Sequence, residues 1–416
     1  MTDADLERIA NWVIARGLDG ASETEILRGF ALTCRDAGID LSRAMVIADT
    51  LHPIYEGRAF RWRNDGADEA TVLEYGSSSA GEVADNWRQS AFHHLLVTHT
   101  SSLRRRLAHG DPTDFGALAA MKAEGETDFL AFSQQFATEG RMGELDAIYS
   151  SWTTRRPSGF TDAEVDVLAR LMPVLALGLK CASLARIAGT LVEVYLGRDA
   201  GRRVLAGRIA RGVAERISAV LWFSDLRGYT TITDSADPDE IIPLLNDYAD
   251  VVITAIHEHG GEVLKLIGDG TLAIFRADDA EDACARALAA ESTMRRAVAA
   301  LNAKRTADGR PVTTPYLGLH VGEVFYGNIG SNDRLDFTVV GPAVNEVSRV
   351  ASMCRSVDRL LLVSEDFRRV TSSDARARLV SVGRFALRGV GRAQELFTLD
   401  PALLRSDPGP LREDGA

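Results

Sequence analysis

The sequence predicts a mixed α+β protein of two domains, joined by a helical connector and closed by a polar tail. Three observations predict it. The 416 residues are too many for one ordinary hydrophobic core. Short strand-type runs alternate with helical stripes through both halves. Composition also changes sharply at Ile217, just after a stretch rich in arginine and glycine. The expected segments are a short helix or arm over 1–20, a first domain over 21–180, the connector over 181–215, a second domain over 216–400 and a disordered tail over 401–416. The tail (PALLRSDPGPLREDGA) is rich in proline, glycine and charge, too polar to bury a core.

Bulk properties narrow the function classes. Hydrophobic residues make up 46% and charged residues 25%, an ordinary globular balance. The net charge of -12 argues against a nucleic-acid-binding protein, whose affinity comes largely from basic groups meeting phosphates. It leaves a nucleotide substrate open, because a few local cations outweigh a global field. The cysteines (Cys34, Cys181, Cys284, Cys354) are scattered without a CxxC pair. That argues against a disulfide framework or zinc site and for a reducing cytoplasm. The N-terminus, MTDADLERIANW, is acidic where a signal peptide carries positive charge. The most apolar stretch, Leu168 to Leu179, falls short of the roughly 20 residues that span a bilayer. The expectation is a soluble cytoplasmic protein with no membrane span and no nucleic-acid partner.

In the first domain, Ser22-Glu23-Thr24-Glu25 opens a helix through Leu32, and Ala44 to Ile47 reads as a short buried strand. Ala59 to Trp62 reads as another, with Phe60 and Trp62 on one face. Thr161-Asp162-Ala163-Glu164 is a capping box. The helix it starts carries Leu168, Leu171, Leu175 and Leu179 as one apolar stripe, with Pro173 placed to kink it. Helical signal resumes through Leu184, Ile187, Leu191 and Val194, up to a break at Tyr195-Leu196-Gly197. The stripe fits the inner face of a domain, the seam of a dimer, or both. Arg198 to Arg216 reads as a solvated linker without a site. Trp62, Trp87, His93, His94 and Trp152 suit either a ligand pocket or ordinary core, and core is the default. Adjacent His93 and His94 diverge on any regular element, so a shared metal or haem is not indicated.

The second domain holds the chemistry. Ser218 to Phe223 (SAVLWF) is a buried strand followed at once by Ser224-Asp225-Leu226-Arg227-Gly228-Tyr229-Thr230. An aspartate at a strand's carboxyl end suits a metal ligand, and the Gly228 turn lets backbone N–H groups meet phosphate oxygens. Alone, such an aspartate is most often a helix cap. Next, in EVLKLIGDGTLAIF, two strand-type runs flank Gly268-Asp269-Gly270, a hairpin signature in which Asp269 alone would be a turn residue. Held near a second carboxylate, it can instead share two divalent ions that activate an attacking oxygen and clamp a leaving phosphate. Third, Gly341 ends a strand, Pro342 suits a first helical turn, and Asn345 and Arg349 share one helical face. That face is either plainly solvated or positions a ribose and stabilises a transferring phosphoryl group.

Together and in this order, FSDLRGYT, LKLIGDGTLAIF and TVVGPAVNEVSR resemble the class III adenylate and guanylate cyclases, over about Ser218 to Leu399. Pro342 departs from the family, which more often has Asp there. The resemblance implies a ferredoxin-like βαββαβ catalytic core. It implies that Asp225 and Asp269 hold two Mg²⁺ or Mn²⁺ ions, with the Leu226 carbonyl as a further ligand. Gly228, Tyr229 and Thr230 would meet the substrate, Asn345 would orient the ribose, and Arg349 would stabilise the transition state. Arg388, in FALRGVGR, stands where the family often has a triphosphate-binding Lys or Arg. Lys265 and Thr338 occupy the base-reading positions; guanylate cyclases typically carry Glu and Cys there, so ATP is the implied substrate. Thr at that position resembles a bacterial subclass that often responds to bicarbonate. Gly260-Gly261-Glu262 starts like the signature of the diguanylate cyclases, but Val263 and Leu264 break it.

In this family the aspartates and the Asn/Arg pair acting on one nucleotide come from different protomers, which implies a head-to-tail homodimer. Lys265 and Thr338 would join Asn345 and Arg349 opposite the partner's aspartates. Gly159-Phe160-Thr161-Asp162-Ala163-Glu164 and its helix resemble a GAF-type sensor, which implies regulation by an unknown ligand or signal. The reading is a lyase that makes cyclic AMP. Alternatives are a cyclase for GTP, CTP or UTP, and a nucleotide-binding regulator without turnover.

Overall fold

The structure, a computed structural model, describes residues 2–65, 70–76, 81–136 and 145–404. It divides into two compact units, Met1–Leu191 and Val192–Ala416. The first contains α1 (Asp3–Leu18), α2 (Glu23–Asp36), β1 (Arg43–Asp49), β2 (Gly57–Arg63), β3 (Thr71–Tyr75), α3 (Gly81–Arg88), α4 (Ala91–Thr98), β4 (Ser102–Arg105), α5 (Leu118–Ala123), β5 (Asp128–Gln135), β6 (Ala147–Thr154) and α6 (Asp162–Leu196), the last crossing the boundary. Its six-stranded sheet has the order β3-β2-β1-β6-β5-β4. Every paired strand is antiparallel.

Alternation along β1 separates two cores. Ala44, Val46 and Ala48 pack with residues of α1, α2 and α6, whereas Met45 and Ile47 face a smaller cluster from α4 and α5. The expected capping box of Thr161 with Glu164 forms, and the helix expected from Ser22 opens on a second one, Ser22 with Glu25. The leading segment is not a free arm, because Ile9 and Val13 of α1 are fully buried in the first core. Leu168, Leu171, Leu175 and Leu179 are buried in the same core, so that part of the stripe is a domain face. Helix α6 continues through Pro173 to Leu196. Its apolar character also reaches beyond Leu179. By length and composition it suffices to cross a membrane, with a mean hydropathy of 1.7 over 18 residues, of which 44% are buried inside the protein.

The aromatic and histidine set of this unit belongs to packing. Trp62 and Trp152 are 1% and 0% exposed. Trp87 packs edge-on against His93 and Tyr149, and His94 against Phe115. A separate cavity of about 380 Å³ lies over β1, with Met45, Arg61, Asn86, Phe92, Phe115 and Ser151 among its walls.

The second unit contains α7 (Arg198–Leu205), β7 (Ala214–Leu226), α8 (Tyr229–Ser235), α9 (Pro238–Glu258), β8 (Glu262–Ile267), β9 (Gly270–Arg276), α10 (Ala280–Ala307), β10 (Pro315–Gly330), β11 (Leu335–Val340), α11 (Pro342–Val357), β12 (Leu361–Ser364), α12 (Glu365–Val370), α13 (Ser373–Ala377), β13 (Leu379–Phe385), β14 (Gln394–Leu399) and α14 (Pro401–Leu404). The sheet runs β13-β14-β12-β10-β7-β9-β8, with β11 paired to β10. Within it, β7-α9-β8-β9-α10-β10 is a βαββαβ unit with strand order β10-β7-β9-β8, the ferredoxin-like arrangement expected from the sequence.

Strand β7 is continuously apolar at its centre because both faces are covered. Val220 and Trp222 enter a core with α9 and α10, while Ala219 and Leu221 enter another with β11 and the start of α11. Two expectations fail here. Arg198 to Arg216 is not a bare linker: Ala200 of α7 is 2% exposed, and Arg203 pairs with Asp199 and Glu215 and lies over the Tyr326 ring. A charge-rich sequence hid one small-residue face. The tail is not wholly unstructured, since Pro401–Leu404 form a helical turn; 405–416 lie outside the described residues.

Candidate active site

The site begins where β7 ends. Buried Ser224 and Leu226 flank an exposed Asp225, as strand alternation requires. One strand over, β8 and β9 form a hairpin in which Ile267 pairs with Gly270 around Gly268 and Asp269. Gly268 takes a left-handed φ of 63°, which suits the first position of such a turn. A Cβ on Gly270 would stand 3.0 Å from the Ser224 carbonyl oxygen, so glycine allows the turn to approach β7. The approach brings the aspartates together. The Leu226 N–H donates to Asp269 Oδ2 at 3.2 Å, and both carboxyl groups line a cleft of about 180 Å³ with Leu226, Asn246, Gly268 and Thr271.

Electrostatics follow from that placement. Partial burial, then the hydrogen bond and charge of Asp269, push the Asp225 carboxyl up to about 6; the Leu226 N–H pulls the other way. Two neighbouring carboxyl groups are a set of hard oxygen donors that fits divalent cations such as Mg²⁺ or Mn²⁺. Gly228, with φ 68°, precedes α8, which starts at Tyr229 and Thr230.

The remaining expected residues form a second group. Asn345 and Arg349 project from one exposed face of α11, and neither side chain has a hydrogen bond or ion pair among the described residues. Thr338, on β11, is 7% exposed. Lys265, on β8, is ion-paired with Asp336, which lies two residues before Thr338 and so on the same face of β11. None of Lys265, Thr338, Asn345 and Arg349 lines the aspartate cleft. Arg388 is exposed in the turn between β13 and β14. Sequence reasoning missed Asp336. A carboxylate next to a phenylalanine signals nothing alone, and its lysine lies 71 residues away.

Comparison with known proteins agrees with the fold. Residues 213–400 match the family of adenylate and guanylate cyclase catalytic domains. An adenylate cyclase of Anabaena cylindrica is 35% identical over 158 residues, 37% of this chain and 31% of that protein. Adenylate cyclase 1 of Rhizobium meliloti (strain 1021) is 27% identical over 216 residues, 48% of this chain and 32% of that protein. The chain thus spans about a third of the length of these curated relatives. The crystal structure of the adenylyl cyclase CyaB from P. aeruginosa aligns at 22% identity with a TM-score of 0.41, over 45% of this chain and 96% of that one. The second unit therefore has a class III cyclase catalytic fold, and residues 213–400 are an adenylate/guanylate cyclase catalytic domain. Class III cyclases depend on divalent metals.

Proposed function

We propose that the chain is an adenylate cyclase, converting ATP to 3′,5′-cyclic AMP and pyrophosphate at sites shared by two copies and regulated by the N-terminal unit. The observation that carries this reading is the convergence of Asp225 and Asp269 on one cleft, where burial and then Asp269 raise the Asp225 carboxyl. Asp225 and Asp269 would hold two Mg²⁺ or Mn²⁺ ions, with Leu226 as a further ligand. Bound there, such ions acidify the ribose 3′-hydroxyl and balance charge on the departing pyrophosphate.

The chain's own residues do the rest. The 3′-oxygen bonds to the α-phosphorus, the bond from that phosphorus to the bridging oxygen breaks, and the hydroxyl proton passes to water. Arg349 donates hydrogen bonds to oxygens on which charge accumulates, and Asn345 fixes the ribose. Gly228, Tyr229, Thr230 and Arg388 hold the triphosphate. Lys265 donates to the ring-nitrogen acceptor of adenine and Thr338 accepts from its amino group. Guanine would set a ring N–H against the ammonium, which favours ATP over GTP.

The homodimer is supported by the division of the site. In one chain the cleft holds Asp225 and Asp269, while Asn345 and Arg349 lie outside it and their side chains have no hydrogen bond or ion pair among the described residues. A cytoplasmic setting is supported by the absence of disulfides: all four cysteines are free, and Cys34, Cys284 and Cys354 are buried. For the sensor, a GAF-like reading is supported by the antiparallel sheet flanked by helices and by its 380 Å³ cavity. The test is product analysis with the four NTPs and Mg²⁺ or Mn²⁺, together with mixing of D225A and R349A chains. Cyclic AMP from wild type, and activity restored in the mixture of two inactive variants, are expected. Metal-dependent pyrophosphate release from no nucleotide would overturn the enzyme reading, and a dead mixture the shared site.

A further inference from the structure

Behind the face of α11 that carries Asn345 lies a cluster the cyclisation chemistry does not use. His320, central in β10 and 3% exposed, meets Glu346 of α11 and Asp366 of α12. One ligand atom from each lies within 4.8 Å of the others. His320 Nδ1 is 2.8 Å from Ser364 Oγ, and its Nε2 faces Glu346 Oε2 at 3.5 Å. Ser364 caps α12 by accepting the Phe367 N–H at 3.2 Å, and its second lone pair can accept Nδ1–H. That tautomer turns the Nε2 lone pair toward two carboxylates, the orientation that an outer hydrogen bond imposes on a metal-ligating histidine.

The surrounding hydrogen bonds and charges leave the two carboxylates weakly compensated. Glu346 Oε2 accepts from Gln394 Nε2 at 2.9 Å, while Gln394 Oε1 is buried with no hydrogen-bond partner. Asp366 also pairs with Arg369, but that arginine is 71% exposed and the pair is weak. A proton on His320 is disfavoured by burial, although Glu346 and Asp366 oppose that effect. Two carboxylates and a neutral imidazole, half shielded from water, call for positive charge.

We infer that His320, Glu346 and Asp366 form a binding site for one divalent transition-metal ion of the zinc class, separate from the aspartate pair. One imidazole nitrogen and two carboxylate oxygens supply three protein ligands, and a fourth position remains for water. The ion ties α11 to β10 and α12. Glu346 adjoins Asn345 on α11, so occupancy fixes the backbone from which Asn345 and Arg349 project. That effect on turnover rests on the cyclase reading; the binding does not.

The experiment is Zn²⁺ titration by calorimetry of the full chain carrying D225N and D269N, with Co²⁺ as a spectroscopic probe. One ion per chain is expected, with visible Co²⁺ bands of low coordination number. Adding E346Q or D366N should weaken that binding at least tenfold and bleach the bands. Both substitutions remove charge with little change of shape, and unchanged circular dichroism of the metal-free variants verifies folding. Absence of stoichiometric binding, or binding indifferent to both variants, overturns the site. Loss of cyclase activity in every assay would leave this result untouched.

Discussion

Replacing Asp225 by Asn should stabilise the metal-free protein while abolishing its activity. In the folded chain the Asp225 carboxyl is raised from 3.8 to about 6, first by partial burial and then by Asp269. A carboxyl raised on folding binds its proton more tightly in the folded state. The folded state is therefore unpenalised below the unfolded value and loses stability as pH rises through the folded one. The full gap corresponds to about 3 kcal/mol at about 1.4 kcal/mol per pH unit. Asp225 is solvent-exposed, so screening reduces this to about 1 kcal/mol. For a domain of this size, 1 kcal/mol moves Tm by about 2–4 °C.

With EDTA at pH 8, D225N should melt about 2–4 °C above wild type. The difference should shrink as pH falls from 6 toward 3.8. Saturating Mg²⁺ or Mn²⁺ should reverse the order, because an ion at 100 times its Kd adds about 2.7 kcal/mol to the form that binds it. Calorimetric melting across pH, with and without metal, reads all three effects. A D225N that melts with or below wild type at pH 8, or a gap that ignores pH, would refute the carboxylate-pair argument.

The other predictions concern specificity and geometry. K265E with T338C, the residue types of guanylate cyclases, should shift the ATP-to-GTP ratio of kcat/KM by about 10²-fold or more, measured by product analysis. D336N should raise KM for ATP about fivefold with little change in kcat, as expected for one lost hydrogen bond of about 1 kcal/mol orienting Lys265; D336E should recover part of it. G270A sets a Cβ 3.0 Å from the Ser224 carbonyl oxygen. It should cost about 1–3 kcal/mol in denaturant unfolding and weaken metal binding, because Asp269 rides on the displaced turn.

What the sequence disclosed depends on how far each signal reaches. Ser218 to Phe223 was legible as a strand because burial of both faces writes a continuous apolar run, and Gly268-Asp269-Gly270 because a tight turn demands glycine where φ is positive. Asn345 and Arg349 were legible as neighbours because helical spacing is local. α7 was not, since its one buried face is made of alanine and glycine among arginines. The ion pair of Lys265 with Asp336 was also hidden, because it joins β8 and β11, two strands not paired with each other, across 71 residues of sequence.

The same distinction separates the two halves of the site. The aspartates meet because β7 and β9 are neighbours and Gly270 lets the turn close on Ser224. Asn345 and Arg349 ride on a helix that follows β11, on the far side of β10 from that pair in strand order. Asp225 and Asp269 lie at the end of β7 and in the β8–β9 turn, whereas Asn345 and Arg349 lie on α11 and line no part of the aspartate cleft. Under the proposed function, a second copy would complete the site without altering either core, and turnover would then depend on chain concentration.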